Sequence, residues 1–162
     1  LDTTDEQMAP YAQWGPHGAA KQRGFSTPAQ VYDGAVTDMD YHLGRLVRTI
    51  DDLGLAEETV VVVSSDNGPE DISGMRAGHS GSGTAGPFRG RKRSLYEGGV
   101  RVPFIVQWKG RTPAGRVDDK SIVSAVDLLP TFCSQAGIEL PDDYHSDGQD
   151  MSQVFLGKSV QR

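Results

Sequence analysis

The chain has 162 residues, 36% of them apolar and 23% charged, with a formal charge of −6 at neutral pH. Length and apolar content exclude general disorder and allow a core without disulfides or a structural metal, in one domain or at most two small ones. The acidic balance excludes wholesale nucleic-acid binding, residues 60–63 are far too short an aliphatic run to span a membrane, and the single cysteine, Cys133, excludes an internal disulfide framework and any CxxC site.

Residues 1–27 carry turn formers at Pro10, Gly15-Pro16, Gly18 and Gly24 and read as a surface segment leading into a helix. Thr27 is placed to cap that helix, and Pro28 to take its first position, where a missing N–H costs nothing. Apolar residues recur at Val31, Ala35, Met39, Leu43, Leu46, Val47 and Ile50, and Gly54 stands where a left-handed terminal residue is expected. The spacing predicts an amphipathic helix over 28–53. Residues 59–64, Thr-Val-Val-Val-Val-Ser, are β-branched and apolar without alternation, the pattern of a short strand covered on both faces and hence of a parallel sheet in an α/β layer fold. A glycine-rich loop follows over 67–99, then a second apolar strand over 103–108 and a turn-rich connection over 109–121. A helix over 128–136 comes next, with Asp127 as its cap and Gly137 at its end. The tail after Pro141 is polar and turn-like, with a short apolar patch over 154–156. The order helix, strand, loop, strand, helix belongs to an α/β sheet protein. It divides the chain into a surface segment (1–27), an α/β core (28–140) and a turn-rich tail (141–162).

Open α/β sheets bind ligands at the carboxyl ends of their strands. The first strand ends there in Ser65-Asp66-Asn67-Gly68, which offers a carboxylate and an amide carbonyl. Hard oxygens suit Ca²⁺ or Mg²⁺; the same residues also make an ordinary Asx turn, and spacing alone leaves both readings open. The second cluster is cationic: Arg89, Arg91, Lys92, Arg93 and Arg101 stand against the single acid Glu97, a local excess of four positive charges in an acidic chain. Such an island is either an anion site or a solvated loop. Glu97 and Arg101, four apart, are spaced to pair and brace it. His79 lies in the glycine loop between the clusters and is a candidate for facing a ligand. The other histidines, His17, His42 and His145, are too scattered for a zinc site, and His42 reads as a surface or packing residue. Residues 81–86 spell GxGxxG, but no strand precedes them and Pro87 follows where a helix should start. Cys133, among Leu129, Phe132 and Ala136, reads as a buried small hydrophobe.

Taken together, Ser65-Asp66-Asn67-Gly68, Gly86-Pro87-Phe88 with Lys92, and Tyr96-Glu97-Gly98-Gly99-Val100-Arg101-Val102-Pro103 resemble the type I sulfatases of the alkaline-phosphatase superfamily, the group of N-acetylgalactosamine-6-sulfatase and the arylsulfatases. The likeness extends to Tyr32-Asp33-Gly34-Ala35-Val36 with Met39-Asp40 and to Asp127-Leu128-Leu129-Pro130-Thr131, and so spans about residues 22–157. It implies an alkaline-phosphatase-like sandwich with a mainly parallel central sheet. It also implies hydrolysis of sulfate esters on a sulfated sugar or aryl sulfate. By the resemblance, Asp66 and Asn67 are part of a Ca²⁺ site (Mg²⁺ being the alternative), Lys92 is the catalytic lysine on the sulfate oxygens, and His79, Arg89 and Arg91 face the substrate, with Arg93 extending the cationic field. The family's formylglycine arises in a Cys-x-Pro-Ser-Arg context, which Cys133-Ser134-Gln135-Ala136-Gly137 does not match. The expectation is therefore a carboxy-terminal portion of a sulfatase catalytic domain, inactive by itself and prone to self-association through its exposed edge and apolar helix faces. A family member would be exported, periplasmic or lysosomal. Two other readings stay open: a phosphodiesterase or phosphonate hydrolase of the same superfamily, and a catalytically dead relative that binds sulfated glycans.

Overall fold

The computed structural model describes residues 4–14, 27–71 and 81–161. Its regular elements are helix α1 (Asp5–Met8), a 3-10 segment (Ala9–Trp14), helix α2 (Pro28–Asp52), strand β1 (Val61–Ser64), helix α3 (Glu97–Val100), strand β2 (Phe104–Gln107), a 3-10 turn (Ala125–Asp127), helix α4 (Leu128–Ala136) and helix α5 (Ser152–Phe155). The strands are hydrogen-bonded neighbours in a two-stranded sheet. The chain divides into two compact units, one of Leu1–Leu53 with Val63–Ile105, the other of Gly54–Val62 with Val106–Arg162.

In the first unit, α2 begins as its sequence dictates. The Thr27 hydroxyl accepts from the Gln30 N–H at 3.2 Å, and Pro28 fills the first turn. Leu53 caps the far end, and Gly54, at φ +71°, turns the chain away. The apolar stripe is less covered than its periodicity suggests: Val31 and Gly34 are buried, whereas Met39 and Leu46 are each more than half exposed. Of the amino-terminal segment, residues 5–14 are helical, while Gly15-Pro16, Gly18 and Gly24 lie outside the described residues. Thr4 caps α1 through the Gln7 N–H, and polar contacts dock this segment on α2: Gln7 Nε2 donates to Asp38 Oδ1 at 3.3 Å, and the Tyr11 and Thr37 hydroxyls lie 2.7 Å apart. His42 sits on the exposed side, 3.6 Å from Asp38.

β1 is shorter than the apolar run that marks it, and its valines are only half-buried, not covered on both faces. A single neighbouring strand among the described residues accounts for this, since burial of both faces needs layers above and below. The Ser64 hydroxyl ties the end of β1 to the Pro103 carbonyl at 3.0 Å.

The second unit is built around the tail. Met151 and Phe155 are each 1% exposed, so the segment read as turn-like supplies its most buried apolar side chains, each contributing about 1.5–3 kcal/mol by burial. Asp127 stands at the N-cap of α4 as expected, but its side chain makes no capping bond to that helix. It closes the preceding 3-10 turn as the third residue of a capping box: its Oδ2 accepts from the Ser124 N–H at 2.7 Å and its Oδ1 from the Gln149 N–H at 2.9 Å. The Thr131 hydroxyl donates to the Asp127 carbonyl at 2.6 Å and accepts from the Met151 N–H at 2.8 Å. Gly137, at φ +67°, ends α4 as expected, while Cys133 is half-buried.

Candidate functional site

The site is assembled in the first unit, where the tip of β1 meets the cationic loop. Backbone hydrogen bonds make the junction: Gly68 N–H to the Gly99 carbonyl at 2.8 Å, Lys92 N–H to the Pro69 carbonyl at 2.9 Å and, within the loop, Gly98 N–H to the Arg89 carbonyl at 2.8 Å. Glycine is required at this junction. A Cβ on Gly68 would strike the Gly98 carbonyl oxygen, and one on Gly98 would strike the Gly90 carbonyl oxygen. The two sequence clusters are thus brought together through backbone contact.

At the strand tip, Asp66 is exposed, and the Ser65 hydroxyl donates to the Asn67 carbonyl at 2.9 Å. Asn67 Nδ2 donates to the Gly68 carbonyl at 2.8 Å, which leaves Oδ1 as the side-chain atom free to ligate. The donor set is oxygen only, which fits a hard cation, and two side chains supply part of the six to eight ligands that Ca²⁺ takes. Among the described residues, no three His, Cys, Asp or Glu side chains gather as a metal-binding group.

The basic residues divide by what they touch. Arg91 is half-buried and works on backbone: its Nε donates to the Glu70 carbonyl at 2.8 Å, and its Nη2 to the carbonyls of Gly81 and Gly83. Lys92 Nζ lies 3.3 Å from Glu70 Oε2, and Arg93 Nη1 donates to Glu70 Oε1 at 2.9 Å. Arg93 holds a left-handed backbone, φ +73°, a conformation uncommon outside glycine. Arg89 is exposed and stacks over the Tyr96 ring at 3.9 Å; Arg101 stacks over Phe88 at 4.6 Å and pairs with Glu97 at 3.1 Å, as their spacing suggests. His79 lies outside the described residues.

Glu70 escapes the sequence reading. Its signal is an acid placed two residues beyond Gly68 of the strand tip, which is legible only once the basic loop is known to fold back on it. The Asp71 N–H at 3.0 Å, then the hydrogen bond and charge of Lys92 and the charge of Arg93, hold its carboxyl below the ordinary value. The result is a cationic surface, with two counter-charges at Glu70 and Glu97, whose guanidinium and ammonium groups are chemically suited to an oxyanion.

The family profile described as Sulfatase matches residues 2–138, most of the chain. The chain belongs to the sulfatase family. Among curated sulfatases it is 40% identical to the steryl-sulfatase of Mus musculus over 126 residues, covering 78% of this chain and 20% of that protein. It is 40% identical to the arylsulfatase A of Homo sapiens over 123 residues, 76% of this chain and 23% of that one. The crystal structure of Ps i-CgsB superposes with a TM-score of 0.77 at 30% identity, covering 95% of this chain and 30% of that one. That of the PsFucS1 sulfatase from Pseudoalteromonas sp. gives 0.71 at 32% identity, covering 89% and 28%. The α/β fold is accordingly the alkaline-phosphatase-like fold of sulfatases, and the chain spans about a quarter of the length of its curated relatives.

Proposed function

We propose that this chain supplies part of the active site of a sulfuric ester hydrolase that acts on a sulfated sugar. Lys92 contacts the sulfate oxygens, and Asp66 and Asn67 contribute to a Ca²⁺ site. The docking of the lysine-bearing loop on the chain just beyond the strand tip, Lys92 N–H to Pro69 carbonyl at 2.9 Å, supports this reading, because it joins the backbone of the cationic run to that of the segment bearing the oxygen donors. Lys92 is only partly exposed, and an ammonium has three donors; among the described residues its side chain pairs with Glu70, which takes one of them. When bound, Ca²⁺ withdraws electron density from a sulfate oxygen as a Lewis acid. Lys92 stabilises the negative charge that grows as the S–O bond breaks, and does so more strongly in a partly desolvated site than in water. Arg89, held against Tyr96, presents its guanidinium outward toward a polyanionic sugar.

Sugar as the carrier of the sulfate is supported by similarity to relatives named for such substrates. The N-acetylgalactosamine-6-sulfatase of Canis lupus familiaris is 40% identical over 126 residues, and Ps i-CgsB has been crystallised in complex with k-i-k-neocarrahexaose.

The test is an NMR titration of the chain with N-acetylgalactosamine 6-sulfate and with the unsulfated sugar, in Ca²⁺. Only the sulfated sugar should shift signals of the 89–93 loop, and Asp66→Ala should abolish the separate, weak response of the strand tip to Ca²⁺. Equal responses to both sugars, or a Ca²⁺ response indifferent to Asp66→Ala, would refute the assignment.

A further inference from the structure

Three consecutive basic residues converge on one acid. Arg91 takes the Glu70 carbonyl at 2.8 Å, Lys92 Nζ its Oε2 at 3.3 Å, and Arg93 Nη1 its Oε1 at 2.9 Å, while the Lys92 N–H bonds the preceding carbonyl, that of Pro69. A solvated basic loop would splay successive cations apart to reduce their repulsion. Here the left-handed backbone at Arg93 lets neighbouring side chains reach the two oxygens of the same carboxylate. Glu70 is mostly covered, with its side chain 21% exposed, so the arrangement is fixed more firmly than a surface ion pair between two mobile chains.

We propose that Glu70 is a positioning residue for Lys92, holding its ammonium at one carboxylate oxygen so that its remaining donors can meet an anion, while Arg93 offsets the charge that Glu70 would otherwise turn against that anion. The proposal rests on the reading of Lys92 as the sulfate contact. Two opposite effects follow from a carboxylate at this place. As a bare charge it repels sulfate; as an anchor it removes the rotamer freedom that a four-carbon side chain would lose on binding. The nearer of its two cations, Arg93, meets the charge, so ordering of Lys92 is the effect that dominates.

The experiment follows the Lys92 side-chain NH₃⁺ signal by NMR in the ¹⁵N-labelled chain, titrated with inorganic sulfate. In the unaltered chain the signal should be sharpened by slow exchange and should shift on titration. Glu70→Gln should broaden it and raise the sulfate dissociation constant about fivefold, as expected on loss of a charge-assisted hydrogen bond. Arg93→Gly, at a backbone conformation that glycine adopts freely, leaves the loop able to fold and should keep the Lys92 signal sharp while weakening sulfate binding, because the Glu70 charge is then unopposed. A Lys92 signal indifferent to Glu70→Gln, or tighter sulfate binding in either substitution, would overturn the proposal. If sulfate leaves the Lys92 signal of the unaltered chain unmoved while Glu70→Gln still broadens it, the positioning stands and the sulfate reading of Lys92 fails.

Discussion

Two carboxylates in this chain are held in opposite ways. Asp127 is fully buried, and its oxygens accept from backbone N–H groups that belong to the fold itself, those of Ser124 and Gln149. Glu70 is partly exposed, and beyond the Asp71 N–H its partners are the side chains of Lys92 and Arg93. Backbone donors cannot leave without unfolding a turn, whereas side-chain cations can re-aim toward another anion. The first arrangement serves stability. The second leaves its cations able to exchange one anion for another.

The comparison is broken most severely at the buried acid. Asp127→Ala would remove the shared acceptor of the Ser124 and Gln149 N–H groups and untie the 3-10 turn from the tail, at a cost of about 2 kcal/mol in chemical denaturation. A loss within about 0.5 kcal/mol, the range of an ordinary surface substitution, would show that the hub is dispensable.

A smaller effect sharpens the contrast from the other side. The Glu70 carboxyl is held below its ordinary value of 4.5 by the Asp71 N–H first and by Lys92 and Arg93 after it. The stability it contributes is therefore present above the unfolded value and lost as pH falls through the lower folded one. Stability curves of the unaltered chain and Glu70→Gln should differ by a constant amount above pH 4.5 and converge at more acid pH. A gap that widens toward acid would reverse the sign and contradict the ion-pair account.

Much of this was legible beforehand. Thr27, Pro28 and Gly54 mark both ends of the long helix because caps act locally, within a residue or two of where they stand. Gly137 does the same for the helix that contains Cys133. Glu97 and Arg101 pair because a single helical turn fixes their separation. What local pattern misses is set by chain reversal. Phe155 stands out as part of a short apolar patch and Met151 reads as part of a polar tail; the burial of both depends on contact with a helix about 20 residues earlier. Asp127 was placed at a helix start, but its second partner, Gln149, comes from that same distant tail. At the candidate site the cationic run was evident and its direction was not. Glu70 lies 21 to 23 residues from Arg91, Lys92 and Arg93, and only the folded loop brings them together.

The central claim is that the cationic loop and the strand tip form one anion site with Lys92 at its centre. The most direct measurement is calorimetric titration of the chain with inorganic sulfate, comparing Lys92→Ala with Lys158→Ala, an exposed lysine whose ammonium bonds Gln153. Lys92→Ala should raise the dissociation constant about tenfold, the effect of losing a hydrogen bond between charged groups, and Lys158→Ala should leave it unchanged. Equal weakening by the two substitutions would reduce the effect to net charge and contradict a built site.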